Sequence, residues 1–145
     1  MKDIFVDNCA AKNFANPADP EYKALIGWLH DEGFLAVSQR LLAEYGRTSG
    51  GCLAPTNICA LVGHLQTRGR LKRFTNPQLR AFGIRKAVAR KLQSNRADYV
   101  HIKTVLLSYR KYALTLDKKL RRDINWFPGY RALAARRPQD IPYRG

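Results

Sequence analysis

Apolar residues fall along the chain in two rhythms, short unbroken runs and longer stretches with helical spacing. Ile4-Phe5-Val6 reads as a short buried strand that ends at Asp7 and breaks into Asn8-Cys9-Ala10-Ala11. Beyond the turn-forming Asn16-Pro17-Ala18-Asp19-Pro20, the spacing predicts a helix over about 20–32. Tyr22, Leu25, Ile26 and Leu29 share one face of it, and Gly33 closes it. Phe34-Leu35-Ala36-Val37 is a second buried strand. Ser38 is placed to cap a helix running to about Arg47, with Leu41, Leu42 and Tyr45 as its apolar stripe.

Thr48-Ser49-Gly50-Gly51 reads as a flexible turn, and Pro55 as the start of a helix over 55–67 with Ile58, Leu61, Val62 and Leu65 inward. The stretch 68–96 reads as a loop followed by a basic helix over about 83–93. Asn95-Arg96-Ala97-Asp98 opens a helix to about Tyr109, and Tyr112 to Leu116 form a third strand. Asp117 ends that strand and starts a short helix from Lys118 to about Ile124. Residues 125–145, with Trp126-Phe127-Pro128-Gly129 and an Arg- and Pro-rich end, carry no pattern that assigns an element.

Strands separated by helices imply parallel pairing, because a parallel connection needs a crossover. The predicted fold class is therefore α/β, a three-layer α/β/α sandwich around a small, mostly parallel sheet. A chain of 145 residues is one domain by size, with residues 1–124 as the folded unit and 125–145 as a basic tail of uncertain structure. No internal repeat divides it. In such sheets ligands bind beyond the carboxyl ends of the strands.

Charge changes the picture. Lys and Arg number 26 against 11 Asp and Glu, a formal net charge of +15. Such a balance attracts polyanions, and nucleic acid is the usual one. No acid occurs between Tyr45 and Ala97, a span that holds Arg47, Arg68, Arg70, Arg80 and Arg96 among other cations. A solubility surface mixes its signs, so this one-sided span reads as a phosphate-binding face. The apolar fraction, 46%, argues against general disorder. No apolar run is long enough for a membrane span or a signal-peptide core, and the odd set Cys9, Cys52 and Cys59 fits reduced thiols, so the expected location is cytoplasmic.

Against this background the acids stand out. Asp7 and Asp117 each end a strand at its carboxyl edge, and Asp98 opens the helix that leads into the third strand. Glu44 borders the apolar stripe of the helix after the second strand. Four carboxylates converging on one spot repel each other unless a cation sits among them, and an oxygen-rich site suits Mg²⁺ or Mn²⁺. Each acid also has a plainer explanation. Asp98 and Asp117 fit helix caps, Asp7 a turn residue, and Glu44 a half-exposed helix position. His30, His64 and His101 are scattered and read as structural or surface residues, and nothing near Cys9 would activate its thiol.

These residues resemble the PIN-domain family of ribonucleases over about residues 3–124. Ile4-Phe5-Val6-Asp7-Asn8-Cys9 is similar to that family's first strand with its metal-binding Asp. Ser38 to Glu44 resembles the segment carrying its second acid. Asp98-Tyr99-Val100-His101-Ile102 resembles the start of its third-acid helix, and Leu114-Thr115-Leu116-Asp117-Lys118-Lys119-Leu120 the stretch with the fourth. Many members carry a further acid two residues after the fourth. Lys119 stands there in this chain, with Asp123 farther along the helix.

The resemblance implies a metal-dependent endoribonuclease that uses Mg²⁺ or Mn²⁺. Asp7, Asp98 and Asp117 would hold metal, and Glu44 would bind metal or orient the attacking water. Thr115, Arg47 and Lys118 are the expected substrate contacts. Many small members are toxins of toxin–antitoxin pairs (VapC-like), which implies RNA as substrate, an antitoxin protein as partner, and a possible homodimer. The alternatives are a non-catalytic basic RNA-binding protein on the same scaffold, and a scaffold whose basic face binds an acidic protein.

Overall fold

The computed structural model describes residues 1–15, 18–49 and 57–145. The loop at Asn16-Pro17, the Gly50-Gly51 turn, Cys52 and the helix start expected at Pro55 lie outside the described residues.

The sheet has five strands: β1 (Asp3–Val6), β2 (Phe34–Ser38), β3 (Leu71–Phe74), β4 (Tyr112–Leu114) and β5 (Leu133–Ala135). Their order is β3-β2-β1-β4-β5, and every pairing is parallel. The described α-helices are α1 (Asn8–Ala11), α2 (Pro20–Asp31), α3 (Gln39–Ser49), α4 (Ile58–Thr67), α5 (Asn76–Ala81), α6 (Lys86–Ala89), α7 (Tyr99–Leu107) and α8 (Lys118–Trp126). The chain is thus α/β with a parallel central sheet flanked by helices, as the alternation of runs predicts.

Ile4, Phe5 and Val6 are fully buried, as are Leu35, Ala36 and Val37, because central strands of a parallel sheet are covered on both faces. Asp19 caps α2 by accepting from the Glu21 amide, and Pro20 follows at the first helical position. Gly33 closes that helix for a steric reason: a Cβ there would meet the Trp28 ring at 2.5 Å. Ser38 caps α3 as predicted, its hydroxyl accepting from the Leu41 amide at 3.1 Å.

Two strands depart from the sequence expectation. Leu71-Lys72-Arg73-Phe74 was to be loop, yet it pairs with β2 over four residues as the sheet's edge. Lys72 and Arg73 are both exposed there, so the run lacks the apolar signature of the inner strands. The basic helix expected over 83–93 shrinks to α6, one short turn.

Residues 125–145 are the second departure. They are integral to the fold rather than a tail. β5 pairs with β4, and Ile141 and Tyr143 are buried in the core. Asn125 fastens the segment, its amide donating to the Ala134 carbonyl at 3.0 Å and its Oδ1 accepting from the Ala134 amide at 2.7 Å.

Two buried acids serve the fold. Asp3, at the opposite end of β1 from Asp7, accepts from the amides of Tyr109 and Arg110. Asp123 in α8 accepts from the amides of Gln93 and Ser94 and pairs with Arg122. Burial raises the Asp123 carboxyl, but these donors outweigh it and hold the group below its ordinary value. Asp123 therefore anchors the 91–94 loop and does not replace the acid missing at Lys119.

Candidate metal and phosphate site

The strand order reverses between β1 and β4, since the chain runs outward to β3 on one side and to β5 on the other. Such a switch point leaves a crevice at the carboxyl ends of the two central strands. The ladder continues past both strands there. The Asp7 amide donates to the Leu114 carbonyl at 2.9 Å, and the Thr115 amide to the Ala135 carbonyl at 3.0 Å. Asp7 and Thr115 are thereby set side by side, and the Thr115 hydroxyl donates to Asp7 Oδ2 at 2.7 Å.

A recess of about 470 Å³ opens at this edge. Asp7, Glu44, Asp98 and Asp117 all line it, together with Arg47 and His101. The four predicted acids therefore meet, although they come from four distant parts of the chain. Asp7 and Asp117 face the same opening.

Each acid is held by its own local structure. Asp7 caps α1, with Oδ1 accepting from the Asn8 amide at 2.8 Å and Oδ2 from Thr115 and the Cys9 thiol. Asp117 caps α8, its Oδ1 accepting from the Lys119 and Leu120 amides. Both thus perform the capping role that an Asp at a helix start suggests, while still lining the recess. Asp98 opens α7, and its carboxylate accepts no hydrogen bond among the described residues. Glu44 is positioned through its neighbour Tyr45, which is buried and donates its hydroxyl to the Val6 carbonyl at the end of β1.

His101 is the residue that the sequence reading passed over. It sits one turn into α7 from Asp98, is 2% exposed, and packs its ring at 5.6 Å from Phe5. Its Nε2 lies 3.0 Å from Glu44 Oε1. One ligand atom each from Asp7, Glu44 and His101 fall within 4.8 Å of one another. The closest-set group therefore contains an imidazole, with Asp98 and Asp117 outside that trio on the wall of the recess. The Asp98-x-x-His101 spacing was the available signal, because residues three apart share a helix face.

The electrostatics follow from this placement. Burial pushes Glu44 up, yet the hydrogen bond and charge of His101, helped by Arg40 and Arg47, hold its carboxyl below the ordinary value. Asp98 lies above its ordinary value, first through burial and then through the charges of Asp117 and Asp7. Burial and the nearby Asp7 charge also push the Cys9 thiol up, which fits an unreactive cysteine.

The three expected substrate contacts separate. Arg47 lines the recess. Thr115 is fully buried, and its hydroxyl is engaged by Asp7 and the Asp117 amide, so it positions those acids from beneath. Lys118 is exposed at the start of α8 and is not part of the lining. Of the other histidines, His30 and His64 stack on each other at 4.0 Å, away from the recess.

Cys9 and Cys59 are free thiols. Among the described residues no helix is long and apolar enough to cross a membrane. The chain matches no model of a known protein family, no curated protein and no solved structure.

Proposed function

We propose that the protein is a metal-dependent endoribonuclease that hydrolyses RNA phosphodiester bonds in the Asp7–Asp117 recess. The observation that carries this reading is the gathering of Asp7, Glu44, Asp98 and Asp117 at one sheet edge of a chain with a net charge of +15. Concentrated negative charge is costly, and the charges of Asp117 and Asp7 add to burial, the larger cause, in raising the Asp98 carboxyl. A divalent cation relieves it.

The donor set fits Mg²⁺ or Mn²⁺: carboxylates, with one imidazole beside them. Asp7, Glu44 and Asp98 or Asp117 would hold the ion, which supplies an acidified water and neutralises charge on the phosphate oxygens. The chain's own groups do the rest. Thr115 and the Asn8 amide fix the Asp7 carboxylate, and His101 keeps Glu44 ionised and oriented. Where it does not hold the ion, Glu44 would orient the attacking water. Arg47 lines the same space and offers a cation to the scissile phosphate.

The test is incubation of end-labelled RNA with Mg²⁺ or Mn²⁺ against an EDTA control, using wild type, Asp7→Asn and Asp117→Asn. Discrete cuts that vanish with EDTA and fall at least about a thousandfold in both variants are expected. Cleavage that survives both EDTA and Asp7→Asn overturns the reading.

One observation favours a second reading, a non-catalytic RNA-binding protein: Asp7 and Asp117 both cap helices, a role that needs no metal. On that reading RNA binds with steep salt dependence, and no divalent ion produces cuts.

A further inference from the structure

A second recess, of about 510 Å³, lies against the first and has the opposite charge. Arg40 from the first turn of α3, Arg80 from α5, Arg96 ahead of α7 and Lys103 within α7 all line it, and no carboxylate does. Arg80, Arg96 and Lys103 make no salt bridge among the described residues. Cations collected in a concavity without a counter-charge repel one another, and a bound anion removes that repulsion.

The two recesses share a wall. Residues 96–99 run between them, with Asp98 lining the acidic side and Arg96 and Tyr99 the basic side. Arg40 bridges them as well. It lines the basic recess while its Nε stands 3.7 Å from Glu44 Oε2. A polyanion seated over the carboxylates therefore meets Arg40 and Arg96 directly next door. The half-buried Tyr99 adds an aromatic surface to the same recess, and bases stack on such surfaces regardless of sequence.

We infer that this basic recess is a subsite for single-stranded RNA, seating the phosphate next to the scissile one and stacking its base on Tyr99. The space suits one nucleotide of an unpaired strand and does not admit a duplex, whose bases are stacked on each other and not open to Tyr99. The direction of the strand toward the carboxylates rests on the nuclease reading above. The binding itself does not.

The experiment measures binding of a fluorescent single-stranded RNA oligonucleotide and of the same sequence as a duplex, in EDTA, over a salt series. The proteins are wild type, the triple variant Arg80→Gln/Arg96→Gln/Lys103→Gln, Tyr99→Leu, and a charge-matched control, Lys12→Gln/Lys23→Gln/Arg131→Gln, whose residues line neither recess and lie outside the acid-free span 45–97. The recess triple is expected to weaken single-strand binding at least tenfold and to lower the slope of log K against log salt by ~0.7 or more, the value for one phosphate on a single strand. Tyr99→Leu is expected to cost about tenfold with little change in slope.

Equal losses in the control triple overturn the inference, as does duplex binding that matches single-strand binding and depends on the same residues. Single substitutions, Arg80→Gln and Lys103→Gln, carry the test if the triple variant does not fold. Cleavage is scored separately with Mg²⁺ or Mn²⁺. Recess-dependent binding without cuts rejects the nuclease reading alone, and cuts with recess-independent binding reject the subsite alone.

Discussion

The Nε2 atom of His101 lies 3.0 Å from one carboxylate oxygen of Glu44 and 3.4 Å from the other, linking α7 to α3 in the lining of the acidic recess. Both side chains are largely enclosed, at 3% and 17% exposure. A half-enclosed carboxylate is comfortable only with such a partner.

Replacing His101 with Leu should therefore raise the Glu44 carboxyl, because burial remains and only Arg40 and Arg47 are left to offset it. In wild type the lowered carboxyl contributes stability that is fully present above its ordinary value of 4.5 and is lost as pH falls through the depressed value. The variant should lose about 1–2 kcal/mol near neutral pH and less in acid. Carboxyl-carbon NMR titration with denaturant unfolding across that range measures both. An unchanged Glu44 titration would show the contact to be idle.

Asp98 behaves in the opposite sense. Its raised carboxyl means the ionised form costs stability above the folded value, and the cost fades as pH falls. Asp98→Asn should make the metal-free protein more stable at neutral pH by a few tenths to about 1 kcal/mol, after allowance for solvent screening. It should also shrink the rise in Tm that Mn²⁺ produces in wild type. Thermal unfolding with EDTA and with excess Mn²⁺ reads both effects, and a destabilised metal-free variant would contradict the assignment.

Thr115→Val keeps the shape of the side chain and deletes the hydroxyl that serves Asp7 and the Asp117 amide. The fold should lose about 1–2 kcal/mol, as expected when a buried amide is left without its acceptor. Groups that orient a metal ligand usually matter 10–100-fold for affinity, so Mn²⁺ binding should weaken by about that factor. Titration calorimetry of the folded variant checks it. Wild-type affinity would leave Thr115 with a purely structural part.

Asp123→Asn separates folding from function. In either orientation the new amide turns its donors toward a group that itself donates, the Ser94 amide or the Arg122 guanidinium, with the Gln93 amide beside it, so about 2–3 kcal/mol should be lost. Because the carboxyl is held below its ordinary value, its contribution is present above that value and disappears as pH falls through the folded one. Mn²⁺ binding by the folded variant should match wild type. A lowered affinity would place Asp123 in the site after all.

The sequence made the centre of the fold legible and the margins obscure. β1, β2 and β4 are short apolar runs bounded by breakers, and their burial on both faces is what makes them readable. β3 carries Lys72 and Arg73 on an edge, where neither must be apolar, so its strand character comes only from pairing with β2. β5 is Leu133-Ala134-Ala135, without a β-branched residue, and it is held by Asn125.

The site divides along similar lines. Asp7, Glu44, Asp98 and Asp117 were readable because acids are scarce in this chain, and because three of them end a strand or open a helix while Glu44 borders an apolar helix stripe. His101 was not, since a single imidazole among apolar residues has no meaning until α3 supplies Glu44. The role of Thr115 depends on the ladder that sets it beside Asp7, and nothing local announces that.

β4 takes its place beside β1 only after three crossovers and more than half of the chain have been made. A nascent chain thus carries Asp7 and Glu44 long before Asp98 and Asp117 have been synthesised. The recess therefore gains its full set of four carboxylates only once the chain extends past Asp117.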